Sequence, residues 1–268
     1  STTNYAKFKE CGCLVMRTEK NGYLEKHLNN SHQLEIPVEE WDNAKIKARL
    51  PIYSLDSYSP PKLRVDKNFG ISNGKRIEGG VYWPNAGYVT DPALSSQNLA
   101  DAAQKFGAEF RLGVEVIEIL QESGKVRGVR LGDGEEIHAP VVVNVAGPGS
   151  SHINDLAGVV EEMTIKTRPL RQEVAHVPAP TGFDFERRGM IVSDSDIAIY
   201  VRPEHGNNIL IGSEDPSCDE HVWTENDTNY EREFTDQWDT QVLRYGQRVP
   251  SLGISSQTRG VVDLYDAS

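Results

Sequence analysis

The sequence predicts an α/β chain of α+β character, and three observations carry that reading. Asp91-Pro92 opens a stretch with Leu99, Ala102, Ala103 and Phe106 at helical spacing. The run from Val141 to Val145 shows no clean alternation and stops at Ala146-Gly147-Pro148-Gly149, as a strand buried on both faces of a parallel sheet would. From about residue 163 the pattern turns to apolar segments in long connections with one amphipathic stretch, a mixed and mainly antiparallel sheet backed by a helix.

Taken in order, Tyr5 to Phe8 leads into Cys11-Gly12-Cys13-Leu14-Val15-Met16, which reads as a strand. Tyr23 to Leu28 predicts a short helix. Pro37 followed by Val38 to Trp41 predicts another, with proline ahead of its first turn. Pro51, Pro60, Pro61 and Gly70 predict an irregular connection over 50–70. Residues 79–89 return as a strand broken between Trp83 and Gly87. Asp91 then caps a helix whose first position is Pro92, where the missing N–H costs nothing, and Gly107 stops it. Residues 108–112 and 114–120 are strand-like. Lys125 to Leu131 and Glu135 to His138 flank Gly132-Asp133-Gly134, a strong hairpin signal. Ser150 or Ser151 caps a short helix closed by Gly158. Residues 173–177, 190–192, 197–202 and 208–212 follow as strands, the last two as a hairpin. Cys218 to Glu231 is polar and acidic, a surface loop. Phe234, Trp238, Val242 and Tyr245 share one helical face, ended by Pro250 and Gly253, and a last strand covers 260–265.

The chain has 268 residues, 38% hydrophobic and 25% charged, enough for one large or two ordinary domains with real cores. Its net charge of −12 argues against nucleic acid or an anionic membrane as partner. No apolar run approaches a bilayer span and no signal peptide is visible at the start. Cys11, Cys13 and Cys218 are too few and scattered for a disulfide framework, so a cytoplasmic chain with reduced thiols is expected. Cys11-Gly12-Cys13 has no Cys/His pair nearby, so no metal is expected.

Several stretches, in this order, match a pattern beyond local structure. They are Gly87-Tyr88-Val89-Thr90-Asp91-Pro92-Ala93-Leu94, Lys105 to Phe110, Val114 to Ile119, Gly124 to Val129, the end Val145-Ala146-Gly147-Pro148-Gly149, and Tyr200-Val201-Arg202-Pro203-Glu204 followed by Ile209-Leu210-Ile211-Gly212. Together they resemble the middle of the D-amino-acid-oxidase-like family of FAD-dependent oxidoreductases, which includes sarcosine, glycine and dimethylglycine oxidases and dehydrogenases. Tyr200 to Glu204 with Ile209 to Pro216 is most similar to the dimethylglycine and sarcosine dehydrogenase side. The resemblance covers about 75–265. It implies a partial FAD-binding domain interrupted by a substrate domain: substrate domain at 1–90, FAD domain at 91–162, substrate domain again at 163–254, and a return to the FAD domain at 255–268. The family's opening Gly-x-Gly-x-x-Gly turn, which holds pyrophosphate on backbone N–H groups, does not occur here, nor does its closing Gly-rich stretch. The expectation is an internal segment of a longer enzyme that binds FAD weakly or not at all by itself.

The resemblance also implies roles by position. Val116 falls where backbone meets the adenine edge, and Ala146 and Gly147 fall beside the FAD ribose and pyrophosphate. Tyr200 falls where a tyrosine faces the substrate, and Arg202 alternates onto the same face as an anion-binding or solvent-facing group. Tyr265 falls where some glycine-oxidase-like members carry a carboxylate-binding Arg. His176 and His205 are candidate bases, and no catalytic residue is assigned. The implied activity is oxidation of a C–N bond in a small secondary or N-methylated amine or amino acid, with hydride passing to flavin. Oxidation of a hydroxy acid or glycerol 3-phosphate is the alternative, and a cofactor-free binding module of the same fold is another. No oligomeric state follows. A shared groove between the Asp91-Pro92 helix and the end of the valine strand is expected.

Overall fold

The computed structural model describes residues 4–225, 228–254 and 257–268. In chain order it contains β1 (Phe8–Glu10), β2 (Cys13–Met16), α1 (Leu24–Gln33), β3 (Glu39–Trp41), α2 (Asn43–Arg49), β4 (Gly80–Trp83), β5 (Gly87–Val89) and α3 (Pro92–Lys105). Then come β6 (Val116–Glu122), β7 (Lys125–Leu131), β8 (Glu136–His138) and α4 (Ser150–Ala157). The last part holds β9 (Arg168–Pro178), α5 (Phe185–Arg188), β10 (Ile191–Asp194), β11 (Ile199–Glu204), β12 (Asn208–Ser213), β13 (Val222–Trp223), α6 (Asp236–Arg248) and β14 (Gly260–Ala267). The fold is a mixed α/β one with mainly antiparallel sheets, as predicted.

One sheet dominates, in the order β13-β9-β12-β11-β10-β2-β4-β3, with β14 also on β9. Its pairings are antiparallel except β10 with β2. At eleven residues, β9 holds β12 and β13 along one edge, while β14 pairs with Arg168 to Ala175 along the other. β6, β7 and β8 form a separate meander, and β1 pairs with β5.

Alternation along the strands decides the layers. Ile199, Val201, Ile209, Ile211, Ala175 and Val177 point to one face and join the main core with Trp238, Val242 and Tyr245 of α6. The other face is covered at its β2–β4 end, where Leu24 and Leu28 of α1 pack on Val81 beside Val15 and Trp83. From β11 to β9 that second face carries Tyr200, Arg202, Leu210, Val174 and His176, all half-buried.

Buried ion pairs fix α6 beneath the sheet. Glu173 accepts hydrogen bonds from Thr235 N at 3.0 Å and Thr235 Oγ1 at 2.7 Å, and pairs with Arg171 at 2.8 Å. Thr235 in turn accepts from Gln237 N, so the α6 N-cap is tied directly to β9. At the other end Arg248 meets Asp194 at 2.7 Å and Asp196 at 3.1 Å.

Several expectations need correction. Val38 to Trp41 does not open a helix: Glu39–Trp41 pairs with β4, and helix α2 starts only after Asp42, whose side chain accepts from Lys45 N. Residues 108–112 form no strand, because among the described residues no ladder partner lies beside them. The valine run is likewise outside any strand: Val141, Val143 and Val145 are 69%, 72% and 85% exposed. A doubly buried strand needs a neighbour on each edge, and none among the described residues supplies one. Helix α3 forms as predicted, with Asp91 capping Leu94 N at 2.9 Å, but none of its residues is buried. The expected shared groove is not seen among the described residues: Asp91 and Pro92 border one cavity and Pro148, Gly149 and Ser151 another, with no extensive packing of α3 on the Gly147–Gly149 turn or α4. Helix α4 takes Ser150 as its first residue and has no side-chain cap, while Gly158 closes it in the left-handed conformation. Residues 226 and 227 of the polar loop, and the expected boundary at 255, lie outside the described residues.

Candidate active-site face

The β11–β12 hairpin places the central side chains. Its turn needs two left-handed residues, and Gly206 (φ 77°) and Asn207 (φ 57°) take them. Glu186 braces the turn from below, accepting from Gly206 N and Asn207 N, both at 3.0 Å, and from Lys9 Nζ at 3.3 Å. Those bonds, the Asn207 N–H first, push the Glu186 carboxyl down to about 2. Because Ile199 and Val201 face the core, Tyr200, Arg202 and Glu204 face outward.

Register turns this face into a grid. Tyr200, Arg202 and Glu204 lie opposite Gly212, Leu210 and Asn208 of β12. Those three lie opposite Val174, His176 and Pro178 of β9. Val174 then lies opposite Val261, and Leu170 opposite Tyr265, both on β14. The Tyr200 ring lies across Gly212, and Tyr265 neighbours its phenol. Burial, then the neighbouring Tyr265 and Asp215, push the Tyr200 phenol well above its usual range, so it stays a protonated donor. Two of the three expected substrate residues therefore converge, although 65 positions separate them in the chain.

Arg202 lies at the other end of the face. Its guanidinium pairs with Glu204 at 2.8 Å and stacks 4.5 Å from the Tyr88 ring centroid. It borders a cavity of about 690 Å³ between the sheet and the start of α3, lined among others by Thr90, Asp91, His176, Glu204 and Arg259. His176 is half-buried. Burial lowers its pKa below the ordinary imidazole value, and its Nε2 is buried with no hydrogen-bond partner. His205 is 92% exposed at the turn tip, with Nδ1 3.4 Å from Glu186, and lines the same cavity.

The expected cofactor residues form a second group. Val116 begins β6 and pairs with Leu131. Ala146 precedes the one-turn 3₁₀ helix Gly147–Gly149, which packs on β9 and β14, the strand that carries Tyr265. Helix α4, which follows, packs on β6, and Gln121 Nε2 donates to Ala157 O at 2.8 Å. Gly147 has φ 56°, with open space where a side chain would project. A bare, left-handed backbone facing open space fits close approach by a ligand.

Gly212, Tyr88 and Asp215 were not singled out in the sequence as members of this face. The signal for Gly212 was present, a glycine ending the apolar run Ile209-Leu210-Ile211. Among the described residues no group of three or more His, Cys, Asp and Glu could hold a metal ion. Burial raises the thiol pKa of Cys13 to about 11 and raises that of Cys11, which leaves both as thiols. No helix among the described residues is long and apolar enough to cross a membrane.

Comparison with known proteins gives related sequences and solved structures that share the fold. Glycerol-3-phosphate dehydrogenase of Mycobacterium leprae (strain TN) is 27% identical over 151 residues, 54% of this chain and 24% of that protein. L-proline dehydrogenase from P. horikoshii shares the fold with a TM-score of 0.71 at 16% identity, over 98% of this chain and 62% of that one. Glycine oxidase from Geobacillus kaustophilus does so with a TM-score of 0.64 at 18% identity, over 97% and 60%. The chain thus spans about a quarter of the curated relative and about three-fifths of these solved chains. A family model described as DAO, FAD dependent oxidoreductase, matches residues 2–262, and the chain belongs to that family.

Proposed function

We propose that the protein of which this chain is a part oxidises a C–N bond of a small secondary or N-methylated amine or amino acid, and that the face from β11 to β14 is its substrate floor. The observation that carries this reading is the meeting of Tyr200 and Tyr265 on that face, beside the strand against which the Gly147–Gly149 turn packs. Solved neighbours of this fold include a glycine oxidase and an L-proline dehydrogenase, which supports an amino-acid-sized substrate.

Flavin, when bound, would supply the hydride acceptor. Val116, Ala146 and Gly147 would hold its nucleotide end through backbone, and residues 91–162 would form the middle of that domain. The chain's own side chains would bind and orient. Tyr200 and Tyr265 offer phenol hydroxyls in place of a guanidinium clamp. They would seat one oxygen of the substrate, without the bidentate grip that Arg gives a carboxylate. His176, kept neutral by burial, has one ring nitrogen left to hold a proton or a ligand atom.

Oxidation of glycerol 3-phosphate is the second reading, favoured by the matched stretch of the M. leprae enzyme. A substrate panel on the full-length protein, followed by flavin bleaching, decides between them. Bleaching by sarcosine- or dimethylglycine-like compounds supports the amine reading, and bleaching by glycerol 3-phosphate alone replaces it.

A further inference from the structure

The five glycines within described strands divide by what sits over them. A Cβ on Gly80, Gly87, Gly128 or Gly260 would meet a backbone carbonyl oxygen first, so each serves close approach of main chains. Gly212 differs. Its Cβ would lie 2.2 Å from Tyr200 Cζ, 2.3 Å from the hydroxyl and 2.5 Å from Cε1, and those are its three nearest atoms. Its φ is not in the left-handed region, so the backbone there would accept any residue. Glycine inside a strand weakens it and gives nothing to pack. What the position lacks is a side chain, and the space goes to one aromatic ring.

The distance to be crossed gives that space its use. Tyr200 is on β11 and Tyr265 on β14, with β12 and β9 between them. Three strand spacings, with Tyr265 four residues along β14 from Val261, separate the two backbones by roughly 19 Å. The Tyr200 ring does not stand upright on its strand but lies down along the sheet on the side of Tyr265, and it can do so only across a residue with no Cβ.

We propose that Gly212 is the positioning residue of this site: its missing side chain lets the Tyr200 ring lie along the sheet and so sets where the Tyr200 hydroxyl meets the ligand. The Tyr200 hydroxyl then donates to an acceptor oxygen of the ligand. A side chain at 212 lifts the ring and moves that hydroxyl. The role in substrate binding rests on the amine-oxidation reading. The coupling of 212 to 200 does not.

The test is a double-mutant cycle in the full-length protein with Gly212→Ala, Tyr200→Ala and both together. In the Tyr200 background, Gly212→Ala should lower Tm and raise KM roughly tenfold with kcat little changed, the loss of about one hydrogen bond to substrate. In the Tyr200→Ala background the same change should leave Tm and KM within twofold of the single variant, because the ring it would strike is gone. Failure of Gly212→Ala to fold, with the double variant folded, is the same result in stronger form. Equal losses of Tm in both backgrounds overturn the proposal. A protein purified without flavin defeats the functional reading and silences the KM arm, while the Tm cycle still decides whether 212 acts through Tyr200.

Discussion

Replacing Arg248 by Met tests how the turn that feeds β11, and with it Tyr200, is held. The Arg248 side chain is fully buried. It donates to Asp194 at 2.7 Å, to Asp196 at 3.1 Å, and to the carbonyls of Ser54 at 2.9 Å and Asp56 at 2.7 Å. Asp196 also accepts from Ser57 Oγ and Tyr58 N, so one guanidinium ties the 54–58 segment to the β10–β11 corner. Met keeps much of the volume and removes the charge. Breaking a buried pair by removing one partner costs about 3–5 kcal/mol. At about 2–4 °C per kcal/mol for a domain of this size, Tm should fall by roughly 6–20 °C. The pH dependence has a definite sign. Burial already holds the Asp194 carboxyl above its ordinary range with Arg248 present, and losing the cation raises it further. Protonation of that carboxyl favours the folded state. The deficit of Arg248→Met is therefore full at neutral pH and shrinks as pH falls through the raised pKa of Asp194. Urea denaturation of wild type and variant at neutral and mildly acidic pH measures both quantities. A loss below about 1 kcal/mol, or a deficit that does not change with pH, refutes the reasoning.

Other consequences are smaller or more local. Glu186 has a folded pKa of about 2 against 4.5 for the free group, so its contribution is present above 4.5 and lost as pH falls from there to 2. Glu186→Gln should flatten the pH dependence of the urea midpoint across that window. Asp91→Ala should destabilise the first turn of α3 by about 1 kcal/mol, seen as faster amide exchange at Leu94, with Asp91→Asn close to wild type. Tyr265→Phe in the full-length protein should raise KM for the amine substrate several-fold with flavin content unchanged. Gly147→Val, which places a β-branched side chain at φ 56°, should lower flavin content without changing KM in the fraction that retains it.

Local signals were legible wherever the chemistry was local. Asp91-Pro92 fixed the start of α3, Gly132-Asp133-Gly134 the β7–β8 hairpin, and the Phe234, Trp238, Val242 and Tyr245 face the position of α6. Trp41 misled because an apolar residue after Pro37 reads equally as helix or edge strand, and the deciding cap, Asp42, came one residue later. The valine run reads as a doubly buried strand and is instead exposed and unpaired, because a strand is a relation between segments and no described segment pairs with it. On the site face, the family resemblance names Tyr200 and Tyr265, alternation adds Arg202, and His176 is a candidate base only. That these residues and Gly212 share one surface follows only from the registers of β9, β12 and β14. The stacking of Tyr88 on Arg202 likewise joins residues far apart in the chain and leaves no spacing signal.

The most direct test of the account is the visible absorption spectrum of the full-length protein, taken before and after anaerobic addition of sarcosine or dimethylglycine. The account predicts a flavin spectrum that bleaches on addition. A protein that carries no flavin, or whose flavin bleaches only with glycerol 3-phosphate, contradicts it.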